Sequence, residues 1–157
     1  MKSETQAFGL SEMMQNHAHG LVYELVLPLV TIRSNKLRKL SVNDIILIGL
    51  DTLEFLLIEG ETIYAHLVLK HISDKYRIEI INFIQEKYLS SESRKQTNIK
   101  FSLGTVQMKT LEAGQGIDVA QLDMKNINLL LENKNIAKCS LVSVDNEIAV
   151  KIDKVLE

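Results

Sequence analysis

The chain has 157 residues, 46% of them apolar, with no Trp and only 5% aromatic residues, so its core must be aliphatic; a buried Ile, Leu or Val contributes about 1.5–3 kcal/mol. A net charge of −2 with no obviously basic face argues against a nucleic-acid ligand, since such binding rests on neutralising phosphates. The single Cys139 has no internal disulfide partner, no apolar run reaches the roughly 18 residues of a membrane span, and no secretory signal is expected, which together point to a reducing cytoplasm.

In chain order, Met1 to Gly20 are polar and read as a flexible leader or short helix, with His17 and His19 one residue apart. Leu21 to Leu27 reads as a strand that Pro28 interrupts, because proline cannot donate to a ladder. Ser34 to Leu40 is expected to form a turn or one helical turn, and Ile45 to Ile48 a buried strand. Glu54 to Leu69 has the pattern of a β-hairpin turning at Gly60-Glu61, followed by a turn at Ser73-Asp74-Lys75 and a half-buried strand, Tyr76 to Ile80. Ile81 to Tyr88 is expected to be a brief helix, and Ser90 to Asn98, with no apolar residue, a linker.

The remainder repeats what precedes it. Tyr23, Leu25, Leu27 and Ile32 match Ile99, Phe101, Leu103 and Met108 at an offset of 76, and Pro28 finds Gly104 in its place. Leu56 to Ile63 matches Leu129 to Ile136 at 73, with Asn133-Lys134 as the second turn, and Tyr76 to Ile80 matches Ile148 to Ile152 at 72. Three residues are therefore expected to be lost between Arg33 and Leu56 and one near Asp74, all in connections, where a shared fold tolerates deletion. The expected division is a leader (1–20), a first domain (21–85), a linker (86–98) and a second domain (99–157). The repeated spans themselves, Tyr23 to Ile80 and Ile99 to Ile152, are each under 60 residues and so marginal alone, and the alternating apolar faces carrying Ile78 and Ile80 in the first repeat and Val150 and Ile152 in the second are expected to pair the repeats.

Catalytic chemistry finds no support in the sequence. His66 and His71 flank an apolar strand, Cys139 lies in an apolar stretch as a small hydrophobe would, and no nucleophile elbow is present. Gly114-Gln115-Gly116 lacks the lysine and helix start of a phosphate loop, and the two leader histidines have no further ligands nearby. No catalytic residue, metal or cofactor is expected.

The ordered set of a strand with a Gly or Pro bend, a polar connection, a step into an apolar strand, a hairpin and a closing strand resembles the SpoA (surface presentation of antigens) domain. Leu103-Gly104, Gln115-Gly116, Leu129 to Ala137 and Val144 to Ile152 carry the resemblance in the second copy, and Val42 to Ile46 and Asp74 to Ile80 in the first. Asn43, Glu79 and Ala149 depart from it, standing where the family often has Gly, a basic residue and Gly. Two such units in tandem are similar to the C-terminal part of the cytoplasmic ring, or sorting platform, subunit of bacterial type III secretion systems; flagellar switch proteins carry single units.

The resemblance implies a mainly β fold of two small SpoA-type domains pairing as an intertwined intramolecular pseudo-dimer. It implies a non-enzymatic scaffold, peripheral at the cytoplasmic base of the secretion apparatus, without nucleic acid or direct membrane insertion. Expected partners are the stator protein of the secretion ATPase, docked on the strand carrying Leu141, Val142 and Val144, and further copies through SpoA self-association. The full ring subunit has a larger N-terminal domain, so the chain is expected to be a fragment or to keep only the junction as its leader. A flagellar switch component is the alternative within this class. A β-barrel binding a nucleotide second messenger is the alternative outside it, although Arg33 and Arg38 lack the companions such barrels use.

Overall fold

Runs of alternating Leu, Ile and Val with turn residues between them can bury a face only by pairing as strands, and the pairing is extensive. A computed structural model describes residues 21–72, 74–88, 95–108, 111–118 and 125–156; the expected leader and residues 89–94 of the expected linker lie outside these, while residues 86–87 and 96–98 of that linker are strand, drawn into ladders with their neighbours. The elements are β1 (Leu21–Val26), β2 (Val30–Arg33), α1 (Ser34–Arg38), β3 (Ile45–Leu50), β4 (Glu54–Glu59), β5 (Thr62–Ile72), β6 (Lys75–Lys87), β7 (Gln96–Met108), β8 (Gly116–Asp118), β9 (Ile127–Leu131), β10 (Lys134–Val144) and β11 (Glu147–Val155).

All the strand pairings are antiparallel, in the order β3-β11-β10-β9-β7-β1-β4-β5-β6-β8, with β2 also on β7. Exchanging each strand for its counterpart in the other repeat reverses this order and reproduces it. The middle is β1 against β7, and each half sends one strand to the other: β3 pairs with β11, and β8 with β6.

The registers agree residue by residue. The pairs Tyr23–Val106 and Leu21–Met108 have as counterparts, at an offset of 76, Val30–Ile99 and Ile32–Thr97, and both pairs occur. Gly104, at φ 104°, lets β7 run on where Pro28 splits β1 from β2. At the exchanged strands the offset is 71. Asn43 N donates to Ile152 O (2.7 Å) as Gly114 N donates to Ile80 O (2.8 Å), and Ile152 N donates to Asp44 O (2.9 Å) as Ile80 N donates to Gln115 O (2.8 Å). Asn43 and Gly114 share a left-handed backbone, φ 75° and 84°. From β4 and β9 onward the offset is 72, down to a shared bulge: Leu67–Ile80 then His66–Asn82 in one half, Cys139–Ile152 then Lys138–Lys154 in the other.

Four sequence expectations are corrected. The second hairpin turns at Glu132-Asn133, φ 50° and 65°, and Lys134 already belongs to β10, so the hairpins match at 72 and not 73. The anchors are Ala65 opposite Leu57 and Ala137 opposite Leu129, all fully buried, and adjacent leucines had disguised the one-residue slip. Five residues are lost between Ile32 and Asn43 (11 positions, against 6 from Met108 to Gly114) and one is regained between Ile46 and Phe55 (9 positions, against 10 from Ile117 to Ile127); none is lost near Asp74. The stretch Ile81–Lys87 is strand, because Ala65, His66 and Thr62 of β5 take Phe83, Asn82 and Lys87 as ladder partners. Finally, β3 is an edge strand: Ile46 is buried, but Leu47 is 60% exposed.

One apolar cluster spans both halves and includes Leu25, Phe55, Leu57, Leu67, Ile78 and Ile80 with Phe101, Ile127, Leu129, Cys139, Val150 and Ile152. A smaller cluster, Val26, Leu56, Ile58, Ile63 and Tyr88, forms in the first half, where the Tyr88 hydroxyl donates to the Leu27 carbonyl at 2.6 Å. Burial, and then the negative field of Glu24, raises the Tyr88 pKa. Among the described residues no helix is long and apolar enough to cross a membrane.

Candidate interaction surface

Side chains alternate between faces along a strand, which divides the expected docking residues. Leu141 lies opposite the fully buried Val150 and packs against the main core. Val142 turns the other way, opposite Ala149, which in turn lies opposite Leu47 of β3. The row Val142–Ala149–Leu47 thus crosses three strands and both halves on the outer face. Val144, half-buried, extends it, and Ile45, half-buried, lies one register step away beside Lys151. Ala149 is fully buried in this row, whereas Leu47 stands open.

The counterpart row at the opposite end, read from the same register, is Lys70–Arg77–Asp118. Where Ile45 stands in one end, Gly116 stands in the other, and a side chain there would run into the Arg77 guanidinium. Arg77 also approaches Glu79, Nε to Oε2, at 3.9 Å. His71 and Tyr76, the next pair along the same two strands and so directed to the other face, stack with centroids 4.4 Å apart. One end of the molecule is therefore apolar on its outer face and the other charged, on the same backbone. Lys151 borders the apolar row and lies near Asp153 at 3.9 Å, and the pair Lys138–Lys154 follows farther along the same two strands.

Ile78, Ile80, Val150 and Ile152, expected to pair the repeats, are all buried, and each meets the other half: Ile78 opposite Ile117, Val150 opposite Ile46, and Ile80 and Ile152 through the hydrogen bonds above. Sequence reasoning missed Leu47, because its neighbours in the row come from the other repeat. A signal was present: Ile45-Ile46-Leu47-Ile48 is apolar at every position, and a strand apolar on both faces needs cover on both.

A cleft of about 830 Å³ lies where the halves meet, with the two hairpin turns on its wall, Gly60-Glu61 and their counterparts Glu132-Asn133. Glu24 and Lys100, also in its wall, form an ion pair, Oε1 to Nζ 2.7 Å, with side chains only 24% and 16% exposed. His66 and Glu54 pair at 2.6 Å on the first half. Cys139 is fully buried, and burial, followed by the nearby Asp153 charge, pushes its thiol up to about 12, far from the thiolate a nucleophile needs at neutral pH. Among the described residues no three His, Cys, Asp or Glu side chains gather as a metal site would require.

Compared with known proteins, the chain matches no family model and no curated protein.

Proposed function

We propose that this chain is a non-enzymatic scaffold built as a SpoA-type intertwined pseudo-dimer, a subunit of the cytoplasmic ring of a bacterial type III secretion system that docks the stator of the secretion ATPase. The observation that carries the reading is the contrast between equivalent rows. A duplicated fold has no packing reason to keep Val142–Ala149–Leu47 apolar on an outer face when Lys70–Arg77–Asp118 fills the same positions at the other end. An apolar row retained on one end alone fits a partner's apolar side chains, and an amphipathic helix laid across the strands would bury it. The strand order supports the pseudo-dimer, since each half completes its sheet with a strand from the other.

Val142, Val144 and Leu47 are the residues assigned to docking, and Leu141 is left to the core. The test is titration of the stator's N-terminal segment into Val142→Asp and Lys70→Asp chains, with thermal unfolding measured on both. Loss of binding in the first alone, with both folded, is the expected result. Equal binding by both variants would remove the docking face.

A further inference from the structure

We infer that the Glu24–Lys100 pair decides which halves join, making the first half complementary to the second and incompatible with a copy of itself. Glu24 and Lys100 are counterparts at the offset of 76, and so are Val26 and Ser102, which lie directly opposite one another between β1 and β7. The rotation that relates the halves therefore passes between Val26 and Ser102. It carries Glu24 onto Lys100, and these two side chains meet at 2.7 Å.

A contact between equivalent positions has a particular consequence. Had a half paired with another copy of itself, each side would present the same residue: two carboxylates for the first half, two ammonium groups for the second. With side chains mostly withdrawn from solvent, like charges at contact distance are poorly screened. The paired arrangement instead satisfies both groups in one charge-assisted hydrogen bond. The flanking registers offer no such discrimination, because β1 on β4 and β7 on β9 pair equivalently. Glu24 faces Ile58 across β1 and β4 just as Lys100 faces Leu130 across β7 and β9. Selectivity has to come from side chains near the axis, and this is the charged pair there.

It follows that a second copy of this chain enters the fold most favourably by reciprocal exchange, its first half joining the other chain's second half and the reverse. Like-with-like pairing carries the penalty of two like charges at contact distance on its axis.

Full-length chains test this. Glu24→Lys and Lys100→Glu should each melt several degrees below the native chain, and the double reversal Glu24→Lys/Lys100→Glu should recover most of the loss. Each single reversal places like charges within one chain, yet in a dimer of exchanged halves between the two variants every axis again joins a carboxylate to an ammonium. Refolding them together should therefore give a species of twice 17.8 kDa containing one chain of each, resolved by native mass spectrometry. A double reversal no more stable than the single ones would overturn the inference. So would a mixture in which each variant dimerises with its own kind as readily as with the other.

Discussion

The two halves agree inside and differ outside. Facing the common core, Leu25, Leu57, Ala65, Ile78 and Ile80 correspond to Phe101, Leu129, Ala137, Val150 and Ile152, and all ten are at most 1% exposed. On the opposite face, Val26, Leu29, Leu56 and Ile63 of the first half correspond to Ser102, Thr105, Asn128 and Asn135 of the second. The first set packs with Ile84 of the long β6 and with Tyr88 just beyond its end, and the second is polar, with Asn135 Nδ2 donating to Asn128 Oδ1 at 3.0 Å. At the two ends of the sheet, an apolar row in one half corresponds to a charged one in the other. Core positions are held because they pack in one cluster that spans both halves, so a change in one is felt in both. Outer positions answer only to what lies against them, and there the copies have specialised.

The largest effect should come from breaking what the halves share. An unpaired carboxylate in the core costs several kcal/mol, comparable with the roughly 5–15 kcal/mol that holds a domain of this kind together. Ile78→Asp or Val150→Asp should therefore unfold both halves at once, seen as collapse of amide dispersion throughout the NMR spectrum. If either change left one half with native shifts, the shared core would be refuted.

Alkaline titration separates the halves by chemistry. A buried thiol whose folded pKa is raised from 9.0 to about 12 contributes stability that is complete below pH 9 and lost as the pH climbs toward 12, because the unfolded chain gives up its proton first. Tyr88, raised from its ordinary value of 10.0, adds a loss that begins about one pH unit later. In Cys139→Ala the decline should start near pH 10 rather than 9, measured as the urea midpoint against pH. An unchanged onset would place the alkaline sensitivity elsewhere.

The smallest effect comes from making the outer faces alike. Asn135 Oδ1 is buried with no hydrogen-bond partner among the described residues. Replacing Asn128→Leu and Asn135→Ile together copies Leu56 and Ile63 and removes that orphaned acceptor, so the melting point should hold or rise, by about 1 kcal/mol in stability. A marked drop would show that the amide pair is needed.

Much of this was legible in the sequence where the physics is local. Strand alternation located β1, β4, β5, β10 and β11, and the offset of 76 for Tyr23 to Ile32 survives in the ladder itself. Local reasoning failed where pairing decides. Ile81, Ile84 and Tyr88 have helical spacing, yet the demand of β5 for a ladder partner draws Ile81 and Ile84 into β6 and leaves Tyr88 just past its end. The slip in the second hairpin arose because Leu129, Leu130 and Leu131 fit Leu56 or Leu57 equally well until Ala65 and Ala137 fix the packing. Leu47 escaped notice as a surface residue because the neighbours that define its row, Ala149 and Val142, lie about a hundred residues away and become adjacent only through strand exchange.

Native-state hydrogen exchange probes that exchange of strands most directly. The Ile80 and Ile152 amides each donate into the other half, to Gln115 O and Asp44 O. If the halves form one cooperative unit, both amides exchange only through global unfolding, with the same opening free energy and the same dependence on denaturant. Two distinct free energies, one half opening while the other keeps its protection, would contradict it.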